Sequence, residues 1–78
     1  MFLRRLGPAP AQNGSCTIGL NCPDVFELES GDFAIIGADI TEVAAKSLPP
    51  TAGCGPSERI VLLPRKTLVL AKADIPNT

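Results

Sequence analysis

The 78-residue chain contains no histidine, tryptophan or tyrosine, and it has only three cysteines. Without histidine, it lacks the base that most often activates a serine or cysteine nucleophile and a common ligand of zinc sites. Three cysteines are too few, and odd in number, for the disulfide framework of a small secreted domain. These absences argue against nucleophilic catalysis and against a fold built on disulfides.

Long apolar runs and a charge excess are also missing. The longest mostly apolar stretch, residues 60–73, is interrupted by Pro64 and three basic residues and is shorter than the roughly 20 residues that span a bilayer. No apolar run of signal-peptide length follows the first residues. Lys and Arg number 7 against 8 Asp and Glu, so the net charge is −1. We therefore expect a cytoplasmic protein with reduced thiols, no membrane association and no cofactor.

The length allows one small domain and excludes a Rossmann-type fold. Residues 1–21 are rich in turn formers and have no sustained helical or strand period, which predicts a flexible N-terminal leader. From Cys22-Pro23 onward, apolar runs alternate with turns, so the folded domain is expected over residues 22–75.

Residues 25–29 and 32–36 predict a β-hairpin around Ser30-Gly31. A two-residue loop pairs Phe26 with Ile35 and Leu28 with Phe33 on one apolar face, and it leaves Val25 on a wetter face. A longer loop would change this register.

The rest of the domain alternates helix and strand signals. Asp39 and Glu42 approximate a capping box, which predicts a short helix of about two turns that ends at Pro49-Pro50. Residues 59–63 predict a strand that is covered on both faces or placed centrally in the sheet. Residues 65–74 fit either a helix that starts at Pro64 or another strand, and we favour the strand. The expected fold is α+β, a mainly antiparallel sheet of three to four strands with one short helix.

Charge is uneven along the chain. Residues 22–42 contain six acidic and no basic residues, whereas residues 43–78 contain five basic and two acidic ones. This distribution predicts a dipolar molecule with an acidic hairpin and a basic C-terminal half.

Three groups of residues are candidates for chemistry, and the first is the cysteines Cys16, Cys22 and Cys54. Their number and spacing do not fit a structural zinc site, so no metal is expected. A disulfide between Cys16 and Cys22, or between either and Cys54, is the alternative to free thiols.

The second group is acidic. Glu27 and Glu29 face the same side of a strand, but a solvated sheet surface carries such residues without catalysis. The Gly53-Cys54-Gly55-Pro56 segment is not followed by the Lys-Ser/Thr pair of a phosphate loop. No catalytic residue is assigned, and we expect that the protein is not an enzyme.

The third group is basic: Arg59, Arg65, Lys66 and Lys72. These residues are the candidates for contact with a partner or with nucleic acid, although no aromatic residue lies among them to stack on bases. Nucleic-acid binding is therefore the weaker interpretation.

Several local motifs recur together: Cys22-Pro23, the Ser30-Gly31-Asp32 turn, Gly37 before an Ile-Thr-Glu step, and a strand that ends in Pro64-Arg65. Over residues 16–75 the chain resembles a group of very short, uncharacterised actinobacterial proteins that carry these features. Many of them are encoded beside helix-turn-helix regulators of the xenobiotic-response type. The resemblance implies a role as an accessory or antagonist of such a regulator, and it transfers no active-site residue.

The leading hypothesis is a small non-catalytic regulatory accessory protein that acts by protein–protein contact, with a helix-turn-helix regulator as the implied partner. A homodimer is also expected, because a chain of this size can hardly cover its apolar strands alone. The alternative is a small dimeric DNA-binding protein that uses the basic C-terminal half. A further alternative is a thiol-based redox or metal module.

Overall fold

The computed structural model describes residues 1–9 and 22–78. The strands are β1 (Phe2–Arg5), β2 (Asp24–Leu28), β3 (Phe33–Ile36), β4 (Ala38–Asp39) and β5 (Val61–Leu62), and the helices are α1 (Thr41–Ala44) and α2 (Arg65–Ala71). Each helix continues into a short 3₁₀ helix, at Ala45–Ser47 and Lys72–Asp74. The strands form one antiparallel sheet in the order β1-β2-β3 and a second sheet, β4-β5. The predicted α+β class with a small antiparallel sheet is confirmed, with two short helices instead of one.

Strand β1 lies in the segment that the sequence assigned to a flexible leader, and that assignment is wrong for residues 2–5. Phe2 pairs with Leu28 and Arg5 with Phe26, with a bulge between Phe2 and Arg4. The aromatic rings of Phe2 and Phe26 lie 5.0 Å apart. The strand is held by partners more than 20 residues away in sequence, so no local pattern discloses it. The rest of the predicted leader, residues 10–21, lies outside the described residues.

The hairpin loop has three residues, 29–31, between the paired Leu28 and Asp32, instead of the predicted two. The backbone N–H of Leu28 donates to the carbonyl of Asp32 at 2.8 Å. Gly31 has a φ of 93°, a left-handed conformation that glycine adopts without steric cost. The extra loop residue shifts the pairing by one, so that Phe26 pairs with Ala34. The predicted register was therefore wrong.

The shifted register defines two faces of the sheet, because cross-strand partners share a face and alternate residues point to opposite faces. The helix face contains Val25, Glu27, Phe33 and Ile35. The far face contains Asp24, Phe26, Leu28, Ala34 and Ile36. Val25, which the predicted register placed on the wetter face, is only 3% exposed.

The core forms on the helix face and is small. Leu6, Val25 and Ala71 form its buried cluster, and Leu63 packs against it. The N–H of Leu6 donates to the carbonyl of Val25 at 2.9 Å, which continues the β1–β2 pairing past the end of β1. The described part of the chain thus has a core of a few side chains around one strand.

Residues 65–71 form a helix, so the preference for a strand was wrong. Pro64 precedes the first helical residue, where its missing N–H costs nothing. Thr67 and Ala71, four residues apart and therefore on one side of the helix, are its buried residues. Packing of this side against β2 outweighs the strand propensity of the Thr-Leu-Val-Leu run.

The predicted helix after Asp39 is present as α1 and its 3₁₀ extension. The prediction that residues 59–63 form a strand covered on both faces was wrong. β5 has two residues, of which Val61 is 39% and Leu62 50% exposed. The ladder is short because β4 ends just before α1 begins, and because Pro64 follows two residues after β5.

Candidate interaction surface

An apolar groove of about 410 Å³ lies where the chain passes from β3 into β4, beside β5. It is lined by Cys22, Pro23, Ile36, Gly37, Ala38, Leu62 and Pro64. Cys22 is disulfide-bonded, and the remaining lining residues have no ionisable side chain. The groove therefore offers shape and apolar contact, without a group suited to acid–base chemistry.

Gly37 allows β5 to lie against this groove. A Cβ atom at this position would lie 2.5 Å from the carbonyl oxygen of Leu62 and 3.3 Å from the Cβ of Val61. The neighbouring residue, Ala38, pairs with Leu62. Glycine is required at position 37 because β5 approaches the backbone there.

A polar cluster next to the groove joins β4, α1 and the segment just before β5. One carboxylate oxygen of Asp39 accepts hydrogen bonds from the Thr41 backbone N–H at 3.0 Å and from the Thr41 hydroxyl at 2.6 Å. The other accepts from the Arg59 guanidinium, with Nη2 at 2.8 Å and Nε at 3.0 Å. The Thr41 hydroxyl oxygen in turn accepts from the N–H of Ile60 at 2.8 Å. One carboxylate thus holds three elements together.

The same contacts change the acidity of Asp39. The Thr41 hydroxyl, then the Thr41 backbone N–H, then the Arg59 guanidinium hold the pKa of Asp39 at about 2, below its ordinary value of 3.8. The sequence identified Asp39 as a helix cap, and it does accept from the first helical N–H. The Glu42 half of the predicted capping box makes no hydrogen bond within the described residues.

The two arginines of β1, which the sequence had placed in the leader, pair with two of the four acidic residues of the hairpin. Arg5 Nη2 lies 2.9 Å from Asp24, whose side chain is 9% exposed. Arg4 Nε lies 2.9 Å from Glu27. The Arg5 guanidinium also lies 5.4 Å from the centre of the Phe26 ring. The predicted separation into an acidic hairpin and a basic C-terminal half is therefore only partly realised.

The four predicted contact residues do not form one cluster. Arg59 is bound to Asp39, so its charge is already neutralised. Arg65 and Lys66 lie in the first turn of α2, whereas Lys72 follows the last residue of that helix. A helix of this length separates them by roughly 9 Å along its axis. Nucleic-acid binding by these residues stays a prediction.

The cysteines occupy different environments. Cys22 is buried and disulfide-bonded, and Cys54 is a free thiol in the loop before β5. Cys16 lies outside the described residues. The expectation of reduced thiols is therefore wrong for Cys22, and the disulfide alternative holds for this residue.

Within residues 1–9 and 22–78, no group of three Cys, Asp or Glu side chains is placed to hold a metal ion. None of the helices in that part of the chain is long and apolar enough to cross a membrane.

Comparison with known proteins adds no relative. No protein-family model matches the chain, and no curated protein or solved structure is significantly similar to it. Function must therefore be argued from the surface itself.

Proposed function

We propose that this protein is a non-catalytic regulatory accessory that acts by protein–protein contact. The supporting observation is the amount of apolar surface that the described residues leave exposed. Thirteen large apolar side chains are at least 38% exposed: Met1, Phe2, Leu3, Phe33, Ile35, Ile36, Val43, Val61, Leu62, Leu68, Val69, Leu70 and Ile75. Against these, the buried apolar residues are Leu6, Cys22, Val25 and Ala71. Exposed apolar side chains that lie together form the kind of surface that is typical of interaction sites.

The groove is the part of this surface best shaped for an anchor. Its volume of about 410 Å³ accommodates a large apolar side chain of a partner, such as leucine or phenylalanine. Ile36 and Leu62 line it and are each 50% exposed, so an inserted side chain would remove both from water. Residues that fill such pockets carry most of the energy of many interfaces.

A helix-turn-helix regulator is the partner class that we propose. This choice of partner rests on the resemblance to short actinobacterial proteins. The groove indicates the chemistry of the contact, because it would accept an apolar side chain of the partner.

Leu62→Asp tests the proposal by placing a charge in the groove. Val43→Asp is the matched control, because Val43 is 77% exposed and does not line the groove. We expect the wild type and V43D to retain the same stoichiometric partner from a lysate of the source organism. The L62D variant should bind the purified partner at least tenfold more weakly in calorimetry, with an unchanged circular dichroism spectrum.

Two results would contradict the proposal. One is equal binding of the partner by L62D and the wild type. The other is the absence of a stoichiometric partner under conditions in which a helix-turn-helix regulator is present.

A further inference from the structure

We infer that the free edge of β3 pairs with the β3 of a second copy of this chain, which joins two three-stranded sheets into one of six strands. The two edges of the sheet differ in a way that points to this. The β1 edge carries Arg4, Arg5 and a bulge, three features that prevent pairing with another strand. The β3 edge carries Phe-Ala-Ile-Ile, without charge, proline or bulge.

Side-chain exposure agrees with an open edge. Phe33 and Ile35 are each 46% exposed on the helix face, and Ile36 is 50% exposed on the far face. No strand among residues 1–9 and 22–78 pairs with the outer side of β3.

The hydrogen-bond phase of the sheet identifies which backbone groups are available. The N–H of Leu28 donates to the carbonyl of Asp32, so Asp32, and every second residue after it, directs its backbone groups toward β2. The N–H of Leu6 donates to the carbonyl of Val25, so Val25 and every second residue of β2 from it direct their backbone groups toward β1. The other residues of β2 therefore direct theirs toward β3, in agreement with this alternation. Phe33 and Ile35 consequently direct their N–H and C=O groups outward, toward a partner strand.

The phase also selects the register of a symmetric pair. Residues that point outward must oppose each other, and several antiparallel registers meet this condition. Only one of them pairs both outward residues of β3 within the strand: Phe33 with Ile35 of the partner, and Ile35 with Phe33 of the partner. Ala34 then faces its own equivalent at the two-fold axis. This register forms two aromatic–β-branched pairs on the helix face, a favourable cross-strand combination.

Charge and closure support a second copy as the occupant. Asp32 is the charged residue next to this edge, and in the proposed register it opposes Ile36 of the partner and not another acid. After pairing, both outer edges of the six-stranded sheet are β1 strands, which Arg4, Arg5 and the bulge protect. The association therefore closes at two copies and does not continue into a fibre.

Sedimentation equilibrium of the full chain over a range of concentrations tests the dimer. We expect the wild type to sediment at twice the 8.1 kDa chain mass. Ile35→Lys, which places a charge on the edge, should weaken dimerisation at least tenfold. Ile35→Pro should do the same by removing an outward N–H, since proline is tolerated on edge strands when its missing N–H faces away from the sheet. Val43→Lys is the control and should dimerise like the wild type.

Amide exchange followed by NMR supplies the second measurement. In the dimer, the amides of Phe33 and Ile35 should be protected in a concentration-dependent manner, whereas those of Ala34 and Ile36 are protected at every concentration by β2. In I35K the first pair should exchange freely while the second stays protected, which also shows that the hairpin remains folded.

Three outcomes would overturn the inference: a wild type that stays monomeric, an I35K variant that dimerises normally, or concentration-independent protection of Phe33 and Ile35. The last result would mean that another part of the same chain occupies the edge. Because Ile35 does not line the groove, binding of a partner by I35K separates a failure of this inference from a failure of the proposed function.

Discussion

The two sheets of this protein are held together by different physical means. The three-stranded sheet and α2 enclose an apolar cluster of Leu6, Val25 and Ala71. None of the residues of β4, α1 and β5 is buried, and the Asp39 carboxylate connects β4 to α1 and to Arg59, which lies just before β5. Where apolar burial is missing, directed polar contacts and one close backbone approach position the elements that line the groove. The first region should therefore respond to changes of volume, and the second to changes of charge and backbone space.

Removal of volume from the first region should have the largest effect. Leu6→Ala truncates a side chain that is 3% exposed, and such core truncations cost about 3 kcal/mol. Urea denaturation measures the loss of unfolding free energy. The matched control is Leu3→Ala on the same segment, where the side chain is 59% exposed and the expected change stays within about 0.5 kcal/mol. Equal losses for the two variants would contradict the assigned core.

A methyl group added at Gly37 should destabilise the second region. Gly37→Ala forces β5 away from β4, because the new Cβ would lie 2.5 Å from the carbonyl of Leu62, and we expect a loss of about 1–3 kcal/mol. Gly53→Ala is the control, since nothing lies within 4 Å of its Cβ and its φ is not positive. Thermal unfolding compares the two variants, and faster amide exchange in β4 and β5 should locate the damage. A G37A variant as stable as the wild type would refute the close approach of Gly37 to the Leu62 carbonyl.

The smallest and most local effect is expected from the charge of Asp39. Its pKa is lowered in the folded state, so the folded protein binds fewer protons there than the unfolded chain does. The resulting stabilisation is complete above the ordinary value of 3.8 and is lost as the pH falls through about 2. In Asp39→Asn this acid-dependent part should be absent.

NMR detection of Thr41 and Ile60 amide exchange during acidification measures this dependence. Glu42→Gln is the control, since this neighbouring carboxylate makes no hydrogen bond with the described residues, and it should retain the wild-type response. Identical acid responses of D39N and the wild type would show that the cluster does not support the second region.

Local sequence signals predicted the features that depend on adjacent residues. The hairpin at Ser30-Gly31, the helix after Asp39 and the end of β5 near Pro64 follow from turn chemistry, capping and the missing N–H of proline. The predicted pairing of β2 with β3 was wrong by one residue, because local propensity does not determine whether the loop has two or three residues. The groove was not predicted, because its lining residues come from three separate segments.

The sequence by itself determined the α+β class, the near-neutral charge and the absence of histidine, properties that need no knowledge of which segments meet. Tertiary structure decided that residues 2–5 form a strand, that residues 65–71 form a helix, and that Arg4 and Arg5 compensate the acidic hairpin. The physical reason is the same in each case. A short segment with weak intrinsic preference adopts the conformation that its distant partner stabilises, and here that partner is β2, which pairs with β1 on one side and packs against α2 on one face.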